Sequence, residues 1–355
     1  MSISPIYLTI DIEITNRCNA TCHFCPRDAT PHQGIMDVAT FDKALARAVE
    51  YRQVVKEVSG LPVTVSLCGL GEPLINREAV SFVRKVKAEG FKCSMSSNGN
   101  LLSEEKAKAL LDAGLDEIYI NISDIGEEYE KVYNLPFEKS RENIARFATL
   151  AKGRCTPVVI LVDHHKSPQH IKEMEAYWRD RGIRHFHSYS VINRGGALFV
   201  EHMQFEQYTE MVQARAQLTE GGAQPLCGAP WGFLFIGYDG NYYLCCSDWR
   251  KQASLGSVFD YSFLQVTSQK LQMVVSREPV CKTCNHDPTN MLTEILHAYN
   301  EGQASEEEVE NLRESLREGS KEINQKLGEL IDYARNHPEG LLPVDTNVIP
   351  VLETT

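Results

Sequence analysis

No apolar run in the 355 residues approaches the ~18 that a membrane-spanning helix needs. The amino terminus lacks a basic segment followed by an apolar signal core and passes straight into a strand pattern. Together these absences predict a soluble chain that stays in the cytoplasm, away from the membrane. Positive charge is also scarce: 36 Lys and Arg stand against 48 Asp and Glu, a formal net charge of −12, much of it between residues 306 and 329. That balance disfavours long contact with nucleic acid or an anionic membrane. Internal repeats are absent as well.

What the chain does have is apolar content and cysteine. With 43% hydrophobic residues it can bury one α/β core of about 200 to 250 residues with a smaller unit beside it. Eleven cysteines are an odd number, and seven fall into two spaced groups, Cys18/Cys22/Cys25 and Cys227/Cys245/Cys281/Cys284. Without an export signal, metal ligation explains these groups better than a disulfide framework. Cys68, Cys93 and Cys155 lie in apolar, strand-like contexts and are expected to be buried, inert thiols.

Residues 7 to 14 alternate, with Leu8, Ile10, Ile12 and Ile14 on one face and Thr9, Asp11 and Glu13 on the other, the period-two signature of a strand. The same division recurs at residues 63–68, 91–97, 116–123, 157–163 and 184–192. Between them lie helical patterns at roughly 37–52, 77–89, 103–113, 138–152 and 168–181, with starts such as Ser103-Glu104-Glu105-Lys106 and Ser167-Pro168. Parallel strands joined by right-handed helical crossovers give a partial (β/α)6 barrel of the α/β class, polar residues at the strands' carboxyl ends facing the reacting space. The expected interior set is Asp11, Glu13, Ser66, Tyr119, Asn121, Ser123, Asp163, His187 and Tyr189.

Asn193-Arg194-Gly195-Gly196 reads as a turn, an amphipathic helix is expected near 204–219, and Glu220-Gly221-Gly222 ends it. Residues 231–237 and 241–246 flank Tyr238-Asp239-Gly240, a hairpin signal. Ser305 with Glu308 resembles a capping box, and Val309, Leu312, Leu316, Ile323, Leu327, Leu330 and Ala334 form an apolar helical stripe that Gly319 interrupts. That helix either packs on its own domain or docks a partner or substrate segment. After Pro338 the tail reads as irregular. The expected organisation is a barrel over 1–195, a linker with a helix over 196–226, a cysteine-bearing β-hairpin/helix unit over 227–290, and a helical extension and tail over 291–355.

The stretch Cys18-Asn19-Ala20-Thr21-Cys22-His23-Phe24-Cys25 brings three thiols to one inorganic centre from a single loop. Taken alone, CxxxCxxC fits a zinc site with a distant fourth ligand or an ordinary electron-transfer cluster. The loop follows the first strand, carries Phe24 just before its third cysteine, and is followed after the second strand by Gly69-Leu70-Gly71-Glu72-Pro73. On these features the sequence resembles the radical S-adenosylmethionine (SAM) superfamily. The resemblance implies that Cys18, Cys22 and Cys25 hold a 4Fe-4S cluster whose open iron is chelated by the amine and carboxylate of SAM. It also implies that Gly71 and Glu72 lie near the SAM ammonium, where glycine lets backbone approach and a carboxylate stabilises a cation. Phe24 would lie beside the adenine. Ser97-Asn98-Gly99 looks like the family's motif after strand three, and Asn121 sits where relatives often carry a serine that touches SAM, with Ser123 grouped beside it. Tyr133 stands where relatives often have an arginine. If that arginine clamps the SAM carboxylate, Arg141 or Arg194 substitutes here, or the carboxylate is held otherwise.

Cys227, Cys245 after the hairpin, Cys281-Lys282-Thr283-Cys284 and Leu255-Gly256-Ser257-Val258 together resemble the twitch subdomain, the short form of the SPASM extension. That likeness implies an auxiliary 4Fe-4S cluster; four thiols also suit a structural zinc. Cys246 could replace Cys245, donate a hydrogen atom, or be only a buried thiol. The family likeness implies an enzyme that takes an electron from a small flavodoxin- or ferredoxin-type donor, cleaves SAM to a 5'-deoxyadenosyl radical and abstracts hydrogen from a substrate. The helical extension favours modification of a ribosomally made precursor peptide. No peptide-recognition domain precedes the first strand, so a leader-binding partner is expected. Oxidation or epimerisation of a sugar or aminocyclitol is the second reading, and a non-catalytic iron-sulfur electron carrier the third. Asp163, His164, His187, Tyr189 and Arg194, near predicted strand ends, are the candidates for moving a proton.

Overall fold

The computed structural model describes residues 9–58, 62–198, 205, 208–220, 225–277 and 279–336. Its first half alternates strand and helix: β1 (Thr9–Ile12), α1 (Val38–Val58), β2 (Thr64–Leu67), α2 (Ala79–Ala88), β3 (Lys92–Ser97), α3 (Glu104–Asp112), β4 (Glu117–Asn121), α4 (Gly126–Tyr133), α5 (Phe137–Leu150), β5 (Thr156–Asp163), α6 (Pro168–Arg179) and β6 (His185–Ser190). The second half holds α7 (Glu210–Thr219), α8 (Ala229–Gly232), β7 (Phe233–Ile236), β8 (Asn241–Tyr243), β9 (Ser254–Ser257), α9 (Phe263–Ser276), α10 (Pro288–Asn300) and α11 (Glu306–Asn336). No helix among the described residues is long and apolar enough to cross a membrane.

Strands β1 to β6 pair in sequence order, all parallel, and the sheet ends at β6 without closing. This is the partial α/β barrel expected from the alternation. Ile10 and Ile12, Val65 and Leu67, Ile118 and Ile120, and Val159 and Leu161 are fully buried on the face that the helices cover. Phe41 of α1 stacks on Phe82 of α2 at 3.9 Å between centroids, locking two of those helices together. The oily face of each strand therefore builds the core, and the polar face is left for the interior.

The hairpin does not stand apart as a separate β unit. β7 pairs parallel with β1, Thr9 opposite Phe233 through Ile12 opposite Ile236, and antiparallel β8 and β9 continue the same nine-stranded sheet. Helix α7, read from sequence as part of a linker, instead packs with α10 and α11 around Ala214, Leu218, Leu292, Leu296 and Val309. Three helices whose positions the sequence reading did not give, α8, α9 and α10, appear in the second half. α9 starts in a capping box, Ser262 with Gln265, and α10 starts at Asp287, whose carboxylate accepts from Thr289 N and Asn290 N, with Pro288 at its first position. Gly319 does not break α11, because the next residue, Ser320, is buried and accepts from Leu226 N at 3.3 Å. The stripe's continuation through Leu327, Leu330 and Ala334 lies outside the described side chains, and the tail after Pro338 outside the described residues.

Candidate active site

The polar face of the sheet opens into a cavity of about 290 Å3 at the carboxyl ends of β1 to β4. Cys18, Cys22 and Cys25 line it from one side, Gly71, Glu72, Ser97, Asn98 and Asn121 from the other. The cysteine loop is fixed by groups from elsewhere. Arg27 donates to Ala20 O at 2.8 Å, Thr21 N donates to Tyr133 O at 3.1 Å, and Asn98 Nδ2 donates to Asn19 Oδ1 at 2.9 Å. Gly71 is required by close approach: a Cβ there would lie 2.5 Å from Arg17 O and 2.6 Å from Thr15 O. That contact lets Glu72 N donate to Arg17 O at 2.8 Å, tying the Gly-Leu-Gly-Glu-Pro segment to the cysteine loop.

Glu72 is buried, and burial raises its pKa above the usual carboxylate range. Asn98 N at 2.7 Å, Ser97 Oγ at 3.0 Å and Leu74 N at 3.1 Å donate to its carboxylate, which fixes both oxygens beside the cysteines. Such a carboxylate, held without a Lys or Arg partner among the described residues, is matched to an incoming cation.

Cysteine geometry separates the metal alternatives. Thiolates of a zinc tetrahedron lie about 3.8 Å apart, given a Zn–S bond of about 2.3 Å. Among the described residues neither cysteine set brings three sulfur atoms within 4.8 Å of one another. The spacing is wider than one zinc ion holds. Backbone N–H groups point at the sulfurs: Ala20 N to Cys18 Sγ at 3.4 Å, Ser247 N to Cys245 Sγ at 3.3 Å, His286 N to Cys284 Sγ at 3.5 Å. N–H donors of this kind tune cluster thiolates. Burial pushes Cys25 and Cys245 up to about 11 and raises the other five cysteines of the two sets, so bare thiols would keep their protons; a metal centre would displace them on binding.

The four distal cysteines face one another from Cys227, the end of β8, and the turn before α10. Asn290 holds that turn, donating from Nδ2 to Cys281 O, Lys282 O and Cys284 O at 3.1, 3.0 and 2.8 Å. The turn is also stitched to residues after β6. Asn193 N donates to Asn285 Oδ1 at 3.0 Å and Thr283 Oγ1 donates to Gly195 O at 2.9 Å. Gly195 has φ +62°, and a Cβ on it would meet Val280 at 2.4 Å, so only glycine fits.

That stitching carries Arg194 into the first cavity, where its guanidinium lies 5.5 Å over Trp249 and its buried Nε has no hydrogen-bond partner. Arg141 is outside, on an exposed helix face, paired with Glu138. Of the two arginines offered as substitutes at the Tyr133 position, Arg194 alone faces the cysteines. Tyr133 lines the cavity, 5.9 Å from Phe24 in an edge contact.

Phe24 stands between this cavity and a second one of about 850 Å3, whose walls come from the ends of β5 and β6 and from α10 and α11: Asp163, His164, Lys166, Ser190, His286, Met291 and Leu312 among them. Asn121 and Tyr189 line the first cavity, and Asp163 the second, where it also accepts from Ser167 N at 2.9 Å. Other members of the expected interior set are used elsewhere. Glu13 is buried in an ion pair with Lys251 at 2.9 Å, Tyr119 donates to Glu117 at 3.1 Å, and Ser123 is fully buried, accepting from Val162 N at 2.8 Å. Ser66 bonds to the Cys68 thiol. His187 sits exposed on the edge strand β6 and lines neither cavity.

Three residues that the sequence reading named separately meet in the first cavity. Asp11 bonds to Cys68, and both line the first cavity with Cys246. Burial pushes Asp11 up to about 7 and pulls the fully buried Lys270 down to about 7. Cys68 and Cys246 thus form part of the cavity wall. Asp11 was legible as an inward polar residue; its partnership with two thiols from distant segments was not.

Against known proteins, the model of the radical SAM superfamily matches residues 12–177, and the SPASM model, an iron-sulfur cluster-binding domain, matches residues 227–285. PqqA peptide cyclase of Gluconobacter oxydans is 28% identical over 225 residues, covering 60% of this chain and 59% of that protein. The chain thus spans less than two thirds of that relative's length. Among solved structures, BtrN in complex with AdoMet and 2-DOIA is similar with a TM-score of 0.53 at 17% identity, covering 79% of this chain and 93% of that one. Streptococcus suis SuiB bound to precursor peptide SuiA is similar with a TM-score of 0.54 at 11% identity, covering 81% and 71%.

Proposed function

Because the chain belongs to the radical SAM superfamily and carries a SPASM-type iron-sulfur domain, we propose that it is a maturase that modifies a ribosomally made precursor peptide. Its cofactors are a 4Fe-4S cluster with SAM and auxiliary iron-sulfur at the second cysteine set. When bound, the cluster and SAM supply a carbon-centred radical able to take hydrogen from an unactivated C–H bond.

The observation that carries the peptide reading is the cavity of about 850 Å3 beside Phe24, walled on one side by α10 and α11. It is large for a single small ring and is extended by helices outside the barrel. The similarity to a peptide cyclase over 225 residues supports the same reading. Cys18, Cys22 and Cys25 hold the first cluster, Glu72 and the Gly71 backbone receive the SAM ammonium, Phe24 flanks the adenine, and Arg194, whose buried Nε has no hydrogen-bond partner, offers its guanidinium to the carboxylate. Ser97 and Asn98 act by fixing Glu72, and Asn121 closes the cavity wall. Cys227, Cys245, Cys281 and Cys284 hold the auxiliary cluster. Asp11, near neutrality in its ionisation, is the group placed to accept a proton in an oxidative step. Domain limits near 195, 227 and 290 belong to the same proposal, as do the electron donor of flavodoxin or ferredoxin type and a leader-binding partner.

The test is to incubate the anaerobically reconstituted enzyme, SAM and a reductant with the small peptide encoded beside its gene, and separately with an aminocyclitol, and weigh the products. A SAM-dependent mass change on the peptide is expected. Oxidation of the aminocyclitol with an unchanged peptide would favour the alternative, for which similarity to a structure holding 2-DOIA is the supporting observation.

A further inference from the structure

Asp124 follows β4 and is completely buried, yet among the described residues no Lys or Arg approaches it within ion-pair distance; its charged or chargeable partners are all imidazoles. His164 Nε2 lies 2.8 Å from Asp124 Oδ2, and His165 Nε2 lies 2.7 Å from Oδ1. His170 Nε2, from the first turn of α6, lies 2.8 Å from Ser123 O and 3.3 Å from Asp124 Oδ1. The His164 and His165 rings are 3.9 Å apart, and His165 and His170 are 4.3 Å apart. A buried carboxylate needs a compensating positive charge.

From this geometry we propose that Asp124, His164 and His165 bind one divalent transition-metal ion of the zinc or ferrous class, separate from both cysteine sets. The three ligand atoms lie within 4.8 Å of one another, as a single ion of bond length about 2.0 to 2.2 Å demands. Two imidazole nitrogens and one carboxylate form a set suited to such ions, and they leave coordination positions open. His164 also lines the cavity of about 850 Å3, which puts the proposed site beside that space. His170 does not complete the ligand set. It holds the Ser123–Asp124 backbone and carboxylate from behind, the role of a positioning residue. This inference does not depend on the peptide reading.

The experiment is equilibrium dialysis of untagged, cluster-loaded protein against zinc, with the cysteines already occupied by iron. One zinc per chain beyond the cluster iron is expected, none in the His164→Ala/His165→Ala double variant, and binding weakened about 10- to 100-fold in His170→Gln. The milder His165→Gln, at a partly exposed position, guards against misfolding and should also lose most of the affinity. Cobalt loading adds a spectroscopic readout: ligand-field bands without sulfur-to-cobalt charge transfer are expected. The proposal is overturned if the wild-type chain retains no zinc, if the double variant or His165→Gln retains it with unchanged affinity, or if the cobalt spectrum shows thiolate ligation.

Discussion

The two cysteine sets solve one problem in opposite ways. The first draws three thiols from eight consecutive residues, and its loop is held by the side chains of Arg27 and Asn98 and by the backbone N–H of Glu72. The second gathers four thiols from residues 227 to 284 and depends on Asn290, Asp287 and the turn after β6 to bring them together. The first opens onto a cavity; three of the four distal cysteines are buried. A local set keeps its three thiols on one loop, whose other side is left to face the cavity. A dispersed set gains its geometry from packing, and so is closed.

The sharpest way to separate them is to remove thiols. Replacing Cys18, Cys22 and Cys25 by alanine should reduce 5'-deoxyadenosine formation, measured by chromatography, to background, whereas Cys281→Ala/Cys284→Ala should leave cleavage and stop product formation. Loss of cleavage in both would mean that the sets are not functionally distinct. Next in size, Asp11→Asn should cut product formation by roughly 10²- to 10⁴-fold while sparing SAM cleavage, since a lost proton acceptor acts only after the radical is formed. An unchanged rate would remove Asp11 from the chemistry.

Packing dependence gives smaller effects. Asn290→Ala strands carbonyls of the Cys281–Cys284 turn, and about 1 to 3 kcal/mol of stability should disappear from the denaturation midpoint. Iron should fall from about eight toward about four per chain, from the distal set selectively. The smallest effect is the pH dependence of stability. Asp11 rises from its ordinary 3.8 to about 7 on folding, so between those values the folded chain holds a proton that the unfolded chain has released. Its contribution falls as pH rises through that window and remains at its lowest above 7. The melting-temperature advantage of Asp11→Asn over wild type should therefore grow from pH 5 to pH 8; a constant difference would contradict the raised value.

The same contrast governs what could be read in the sequence. Contiguous features were legible: the cysteine loop, the alternating strands, and Gly71-Glu72, whose spacing is fixed by the turn they occupy. Features assembled across the sheet were not. Asp11 and Cys68 are neighbours because β1 pairs with β2, and Cys246, after β8, joins them because β7 adds to the other side of β1. Similarly, α7 looked like part of a linker because its partners α10 and α11 follow some 70 residues later in the sequence. Helices α9 and α10 did leave a signal, Ser262 with Gln265 and Asp287-Pro288, which cap arguments could have found. His187 failed as a site residue for a different reason: alternation gives its face but does not say that β6 is an edge.

The parallel pairing of β7 with β1 carries a practical consequence. The strand that leads into the first cysteine loop has neighbours on both sides only when the second half of the chain is present. A protein cut before β7 would leave β1 with an unpaired row of amide and carbonyl groups, an invitation to intermolecular sheet growth. The SAM-binding half is thus not a portable module, and its solubility is underwritten by the segment that carries the other metal centre.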